Sequence, residues 1–311
     1  MTRGMDRLKR ELTIKATAFD DVIKMGRTQL QDAVPMRLGQ TFHAYASMVE
    51  RDRKRIADSC KEMYTVNLGG TAIGSAINVS DAYFYNVVPC LARITGYPLS
   101  QAADLFDATE NLDGFVAVSG AVKTCAVNLS KMCNDLRLLS SGPRTGLGEI
   151  NLPAKQNGSS IMPGKVNPVI PEVVTQVAFL VVGHDTTITM AAEAGQMELN
   201  AFEPVLFYNL FESIQTLEGA VKTLIDNCIV GITANRDRCK TLMENSAGIA
   251  TALCPYIGYK KSAEIAKRAL KENRTVRELV LAEKLLSEKE LNRVLDPYAM
   301  TEAVTEVKAA I

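Results

Sequence analysis

The 311-residue chain has no Trp, only two His, and aromatics at 6% of its residues. It has no net charge, with 35 Lys and Arg set against 35 Asp and Glu. That balance removes the electrostatic case for a nucleic-acid binder or a polybasic membrane-surface protein. Long apolar runs are missing too. The longest, Val173 to Gly183, is interrupted by Thr175 and Gln176 and falls short of the about 20 residues a membrane helix needs. No charged-then-apolar leader opens the chain. The seven Cys, at 60, 90, 125, 133, 228, 239 and 254, are odd in number and never at CxxC spacing. They suggest neither a disulfide framework nor a zinc knuckle, and read as reduced, mostly packed thiols of a cytoplasmic protein. His43 and His184 read as surface or packing residues, because no His/Glu spacing for a metal site accompanies them. What remains is a composition of 47% apolar and 23% charged residues, that of a water-soluble globular protein.

The prevailing rhythm is helical. Leu105, Ala108, Leu112, Phe115, Val118, Val122, Cys125, Leu129, Met132, Leu136 and Leu139 follow one another by threes and fours, where a strand would alternate by two. At about 1.5 Å per residue the spacing predicts a single helix roughly 50 Å long, suited to a long bundle shared between subunits. Leu199 to Cys228 keeps the same period. Val173 to Val182 is apolar all round, which predicts a helix buried on every side. Leu38 to Val66 and Asp81 to Ile94 read as further helices, and no strand-and-turn pattern stands out. A weaker boundary near Gly231 to Asn235 precedes shorter helices at Arg236–Glu244, Ser262–Leu270, Thr275–Ala282 and Glu288–Val294. The expected fold is all-α: a long central helical bundle over 1–232 and a small helical C-terminal domain over 233–311.

One segment breaks the rhythm. Residues 142–171 hold five of the 20 Gly and five of the 11 Pro, and long loops within helical domains tend to carry function. Inside it, Gly158-Ser159-Ser160-Ile161-Met162-Pro163-Gly164-Lys165-Val166-Asn167-Pro168 puts two hydroxyls, a Lys and an Asn just before a predicted helix. Asn167 suits the N-cap and Pro168 the first helical position. Free amides and a positive dipole end beside Lys165 suit an anion such as a carboxylate. Taken alone, the loop reads equally as a capped helix behind a flexible Ser/Gly segment. Gly69, Gly70 and Thr71 read as a tight turn, since the spacing of a phosphate-binding loop is absent. Thr28 and Gln29 can be read as a helix end, and Glu172 as a residue complementing the helix dipole. The charges at 236–240 read as a solvated helix start.

The loop resembles the G-S-S-x-M-P-x-K-x-N signature of the aspartase/fumarase superfamily and matches it at every fixed position. Lys24-Met25-Gly26-Arg27-Thr28-Gln29-Leu30-Gln31-Asp32-Ala33-Val34-Pro35, Leu68 to Gly74, Glu198 to Pro204 and Pro255 to Tyr259 are similar to further family segments. The likeness runs from about Leu12 to the C-terminus. Gln29 stands where fumarases typically carry His, and Asn200 to Pro204 and Gly231 to Asn235 look more like aspartases. The resemblance therefore favours an aspartate ammonia-lyase over the alternative, a class II fumarase.

The resemblance implies reversible elimination of ammonia from L-aspartate to give fumarate, through an aci-carboxylate formed when a base takes the β-proton. By motif position that base is Ser159. Lys165 and Asn167 would bind the substrate carboxylate and its developing charge, Ser160 and Met162 of the same loop would also bind substrate, and Thr28 and Gln29 would line the pocket from another subunit. Glu172 pairs in the family with the position held here by Gln29, so its role stays open, as does that of Cys254, where the family usually has Asn. No organic cofactor and no metal site is implied. The expected partners are a small dicarboxylate and further copies of the chain, as a homotetramer with shared active sites. The family's T-S-x-N-M-N-like and S-S/Q-S-N-D-like segments do not occur here. The expectation is a chain without the family's N-terminal domain, with Met1 to Gly4 as a new start. It is completed by a separate N-terminal piece, or else is a truncated, catalytically incomplete chain with a structural role.

Overall fold

A computed structural model describes residues 1–156 and 161–301. Among them, helices dominate. The order is α1 (Thr2–Ala18), β1 (Ile23–Thr28), β2 (Gln31–Arg37), α2 (Leu38–Ser59), β3 (Thr65–Val66), α3 (Asp81–Thr95), β4 (Ser100–Gln101), α4 (Asp107–Glu110) and α5 (Asp113–Leu139). Then come β5 (Ile150–Asn151), α6 (Val169–Glu193), α7 (Glu203–Asn227), β6 (Thr233–Ala234), α8 (Arg236–Glu244), α9 (Cys254–Ile257), α10 (Tyr259–Glu272), α11 (Val276–Ala282) and α12 (Glu288–Val294). The all-α expectation holds: the strands form only two-stranded ladders, β1–β2 and β5–β6 antiparallel and β3–β4 parallel.

Local chemistry explains many of the ends. Ser80 caps α3 by accepting from the Tyr83 amide, and Gly96 closes it at φ +73°, a left-handed conformation that Gly reaches without strain. Thr275 with Glu278 and Ser287 with Glu290 form reciprocal capping boxes at the starts of α11 and α12, each satisfying two otherwise free amides.

Four expectations need correction. The period through 105–139 does not make one helix. Asn111 adopts an extended backbone, φ −106° and ψ 135°, and divides α4 from α5, so α5 has 27 residues and is roughly 40 Å long. The helix begun at Leu38 ends at Ser59 and passes through a 3₁₀ turn to β3. The sequence shows no strand-and-turn pattern, yet a hairpin forms at residues 23–37. Finally, α6 is not buried on every side. Val174, Ala178, Val181 and Ile188 are buried, while Phe179 is 68% exposed and Val173, Leu180 and Val182 are exposed too. By length and composition α6 reaches what a membrane-crossing helix needs. Core helices of bundles pass the same test, and α6 packs along α7 and buries Asp185.

The chain folds into two compact units. The first comprises 1–10, 47–137 and 154–230. Its core includes Leu112, Val118, Ile188, Ala191, Leu206 and Leu210 from α5, α6 and α7. The second comprises 11–46, 138–153 and 231–311. Its core joins Met25 of β1 to Met243, Leu253, Ile265, Leu279, Val280 and Leu291 of the C-terminal helices. The C-terminal helices thus take in the hairpin, a segment far upstream in sequence.

Candidate active site

Two segments carry the candidate residues, one in each unit. In the second unit, Thr28 and Gln29 stand at the tip of the β1–β2 hairpin, not at a helix end. Thr28 pairs with Gln31, and the two residues between them close the turn with Gln29 at φ +52° and Leu30 at φ +62°. This is the backbone of a type I′ turn, normally made by Asn-Gly or Gly-Gly. Its absence from the usual turn signals is why the sequence did not disclose a hairpin. Thr28, Gln29 and Leu30 are all exposed.

The base of the hairpin is tightly held. Lys24 and Glu149 are both buried, at 4% and 0% exposure. Lys24 Nζ lies 3.2 Å from Glu149 Oε2, and Arg27 Nη1 donates to Glu149 Oε1 at 2.8 Å. Lys24 Nζ also donates to the Met25 carbonyl at 2.7 Å. Burial pulls the Lys24 ammonium below the usual lysine range, and the neighbouring Glu149 charge opposes that shift. On the other strand, Asp32 accepts from the Ser246 hydroxyl at 2.7 Å. None of Lys24, Arg27 or Glu149 was singled out from the sequence, since the partners stand more than 120 positions apart.

In the first unit, the Gly/Pro-rich loop leads into α6. Ser159 and Ser160, with Asn157 and Gly158, lie outside the described residues. Met162 and Lys165 are exposed, and the Lys165 amide donates to the Met162 carbonyl at 3.2 Å in a turn with Gly164 at φ +78°. Asn167 is half-buried. It is not the N-cap: α6 begins at Val169, Pro168 holds the cap position without a side-chain bond, and the Val169 amide donates to the Asn167 carbonyl at 2.9 Å. With Pro168 occupying the cap, the helix starts one residue later than expected. Glu172 lies in the first turn. Among the described residues, then, the structure brings Met162, Lys165 and Asn167 together in one loop and Thr28 and Gln29 together at one hairpin tip.

The other family-like segments have structural work to do. Asn200 is buried. Its amide donates to the carbonyls of Ala191 and Ala192 at 3.0 Å each, and its Oδ1 accepts from the Phe202 amide at 2.9 Å, tying the end of α6 to the start of α7. Gly74, at φ +99°, passes so close to Leu105 and Phe106 that a Cβ would meet their backbone at 2.4–2.6 Å. His184 Nδ1 faces Ser213 Oγ at 3.0 Å, and that hydroxyl itself donates to the Asn209 carbonyl. His184 therefore packs within the bundle, while His43 is exposed. Among the described residues no group of three or more His, Cys, Asp or Glu is placed to hold a metal. Burial pushes the thiols of Cys228 and Cys239 up to about 12, which keeps them as inert packing groups.

Residues 1–183, which include the hairpin and the loop, match a family model described as "Lyase". The chain belongs to the aspartase/fumarase superfamily. Residues 249–302 match a second model of these lyases, "Fumarase C C-terminus". An aspartate ammonia-lyase of Bacillus subtilis is 53% identical over 287 residues, 92% of this chain and 60% of the relative. One of Pseudomonas aeruginosa is 56% identical over 298 residues, 96% of this chain and 63% of the relative. The crystal structure titled "fumarate lyase:delta crystallin from Brucella melitensis bound to cobalt" superposes with a TM-score of 0.93 at 49% identity, covering 97% of this chain and 65% of that one. A recombinant class II fumarase from Schistosoma mansoni gives 0.92 at 32% identity, covering 96% and 66%. This superfamily member thus spans 60–63% of the length of the two curated relatives.

Proposed function

We propose that this lyase catalyses the reversible elimination of ammonia from L-aspartate to give fumarate. The observation that carries the reading is the identity pattern. The curated aspartate ammonia-lyases match at 53% and 56%, against 32% for the solved fumarase.

The difficulty of the reaction is the β-proton of aspartate, which is weakly acidic until the adjacent carboxylate takes up the charge as an aci-carboxylate. In this reading Ser159 removes that proton, activated by its surroundings, because a free hydroxyl is too weak a base. Lys165 and Asn167 bind the carboxylate and hold its developing charge, and Ser160 and Met162 complete the substrate-binding set. The loop runs directly into the N-terminal end of α6, whose dipole favours an anion. Thr28 and Gln29, exposed at a hairpin tip, supply hydroxyl and amide groups to the substrate. The proton leaves Cβ, ammonia leaves Cα, and the double bond of fumarate forms between them.

The enzyme works in the cytoplasm as a homotetramer whose copies share active sites. The exposed apolar side chains on α6 and α7, with Phe179, Tyr208 and Phe211 each 63–68% exposed, support an assembled state. The decisive experiment follows fumarate by ultraviolet absorbance with L-aspartate and L-malate in separate reactions. Fumarate from aspartate alone is expected. Fumarate from malate alone moves the chain to the fumarases. Silence with both favours a structural, catalytically incomplete chain.

A further inference from the structure

We propose that Glu149 is a positioning residue for the elimination: its buried carboxylate fixes the hairpin tip that presents Thr28 and Gln29. The inference rests on reading those two residues as substrate-binding groups.

The tip does not support its own shape. Gln29 and Leu30 both hold positive φ angles, which side-chain-bearing residues adopt at a cost, and no Gly or Asn eases the turn. Something outside the turn must hold it. On β1 the holding contacts are ionic. Lys24 and Arg27 both converge on Glu149. In a regular strand, residues three apart face opposite ways. The pairing between β1 and β2 shifts register between Met25 and Arg27, so that Ala33 and Val34 together stand opposite Gly26. A Cβ on Gly26 would meet the Val34 carbonyl at 2.8 Å. The extra residue lies on β2, opposite the stretch of β1 between the two cations, and Lys24 and Arg27 reach the one carboxylate from β1. Thr28 follows Arg27 directly.

Glu149 is itself a fixed post. Its amide donates to the Leu139 carbonyl at 2.8 Å, and its carbonyl accepts from the Asn235 amide at 2.9 Å and from the Cys239 thiol at 3.5 Å. A carboxylate with no exposure is tolerable only when its charge is matched, and both matching charges come from the strand that ends at Thr28. Removing the carboxylate leaves two cations facing each other at the base of the hairpin, and β1 loses its ionic anchor, while Asp32 on β2 keeps its bond from Ser246.

The test is Glu149→Gln in the full chain, assayed with L-aspartate, with amide hydrogen exchange followed at 28–31. A displaced tip weakens substrate binding, so KM is expected to rise about tenfold or more while kcat changes less, since loss of binding energy appears in KM. Faster exchange at 28–31 is expected alongside. Simple destabilisation would lower the amount of active enzyme, and hence the apparent kcat, and leave KM unmoved. If Glu149→Gln does not fold, the double variant Lys24→Met/Glu149→Gln, which removes the pair without stranding Lys24, carries the same two readouts. Unchanged KM together with unchanged exchange at 28–31, in a folded variant, overturns the proposal. A wild-type chain inert toward both aspartate and malate overturns the functional reading, while the exchange data still decide whether Glu149 anchors the tip.

Discussion

Ser119 on α5 donates a hydrogen bond of 2.7 Å to Asp185 on α6, and both residues are buried. Lys123, one turn further along α5, pairs with the second carboxylate oxygen. Replacing Asp185 by Ala leaves the Ser119 hydroxyl without its acceptor in the bundle interior, at a cost of about 1–3 kcal/mol. Ser119→Ala leaves Asp185 paired with Lys123 and costs less. Urea unfolding of both single variants and the double variant is expected to show losses that do not add, because the two residues share one contact.

Glu50 ties α1 to α2 through Lys9 and Arg53, at 3.1 and 2.9 Å. Hydrogen bonds from these two cations hold its carboxyl at about 2, against 4.5 when unperturbed. A carboxyl depressed in the folded state adds stability that is complete above pH 4.5 and is lost as pH falls toward 2. Glu50→Gln is therefore expected to flatten the stability profile across that window. Its effect should be small, because the pair is solvent-screened. Equal slopes for wild type and variant in acid denaturation would contradict the assignment.

Leu30 occupies the second turn position at φ +62° with its side chain 68% exposed. A left-handed backbone costs a Leu roughly 1–2 kcal/mol, and exposure returns little of it. Leu30→Gly is expected to raise stability by up to about 1 kcal/mol, part of the relief being offset by the greater freedom of Gly in the unfolded chain. Thermal unfolding checks the sign.

Phe179 stands 68% exposed on α6. If copies of the chain cover this face, Phe179→Glu is expected to reduce the assembled mass measured by light scattering while helical content by circular dichroism stays unchanged. An unaltered mass would show that the face is not part of the interface.

How far the sequence disclosed this molecule depended on whether the signal was local. The bounds of α8 and α12 are those the sequence predicts, and the loop that carries Lys165 and Asn167 stood out by its Gly and Pro content. Asn111 broke the 105–139 helix unseen because Leu112 kept the apolar spacing in phase across the break. The hairpin escaped because its turn residues, Gln29 and Leu30, are poor turn formers, and because β2 contains Pro35. The apolar surround of 173–182 pointed to burial. One face of α6 does pack within the chain, and periodicity cannot say whether the other face is covered by the same chain or by another. The Lys24–Glu149–Arg27 cluster was beyond any local reading, for it joins residues 122 to 125 positions apart only once the hairpin packs against the 138–153 segment.

The central claim is that this superfamily member removes ammonia from aspartate with Ser159 as the base. Its most direct test measures fumarate absorbance with L-aspartate for the wild-type chain and for Ser159→Ala, matched for helical content and assembly. The account predicts fumarate from the wild type and none from the variant. A variant as fast as the wild type contradicts the base assignment, and a wild type that forms fumarate from malate but not from aspartate contradicts the reaction itself.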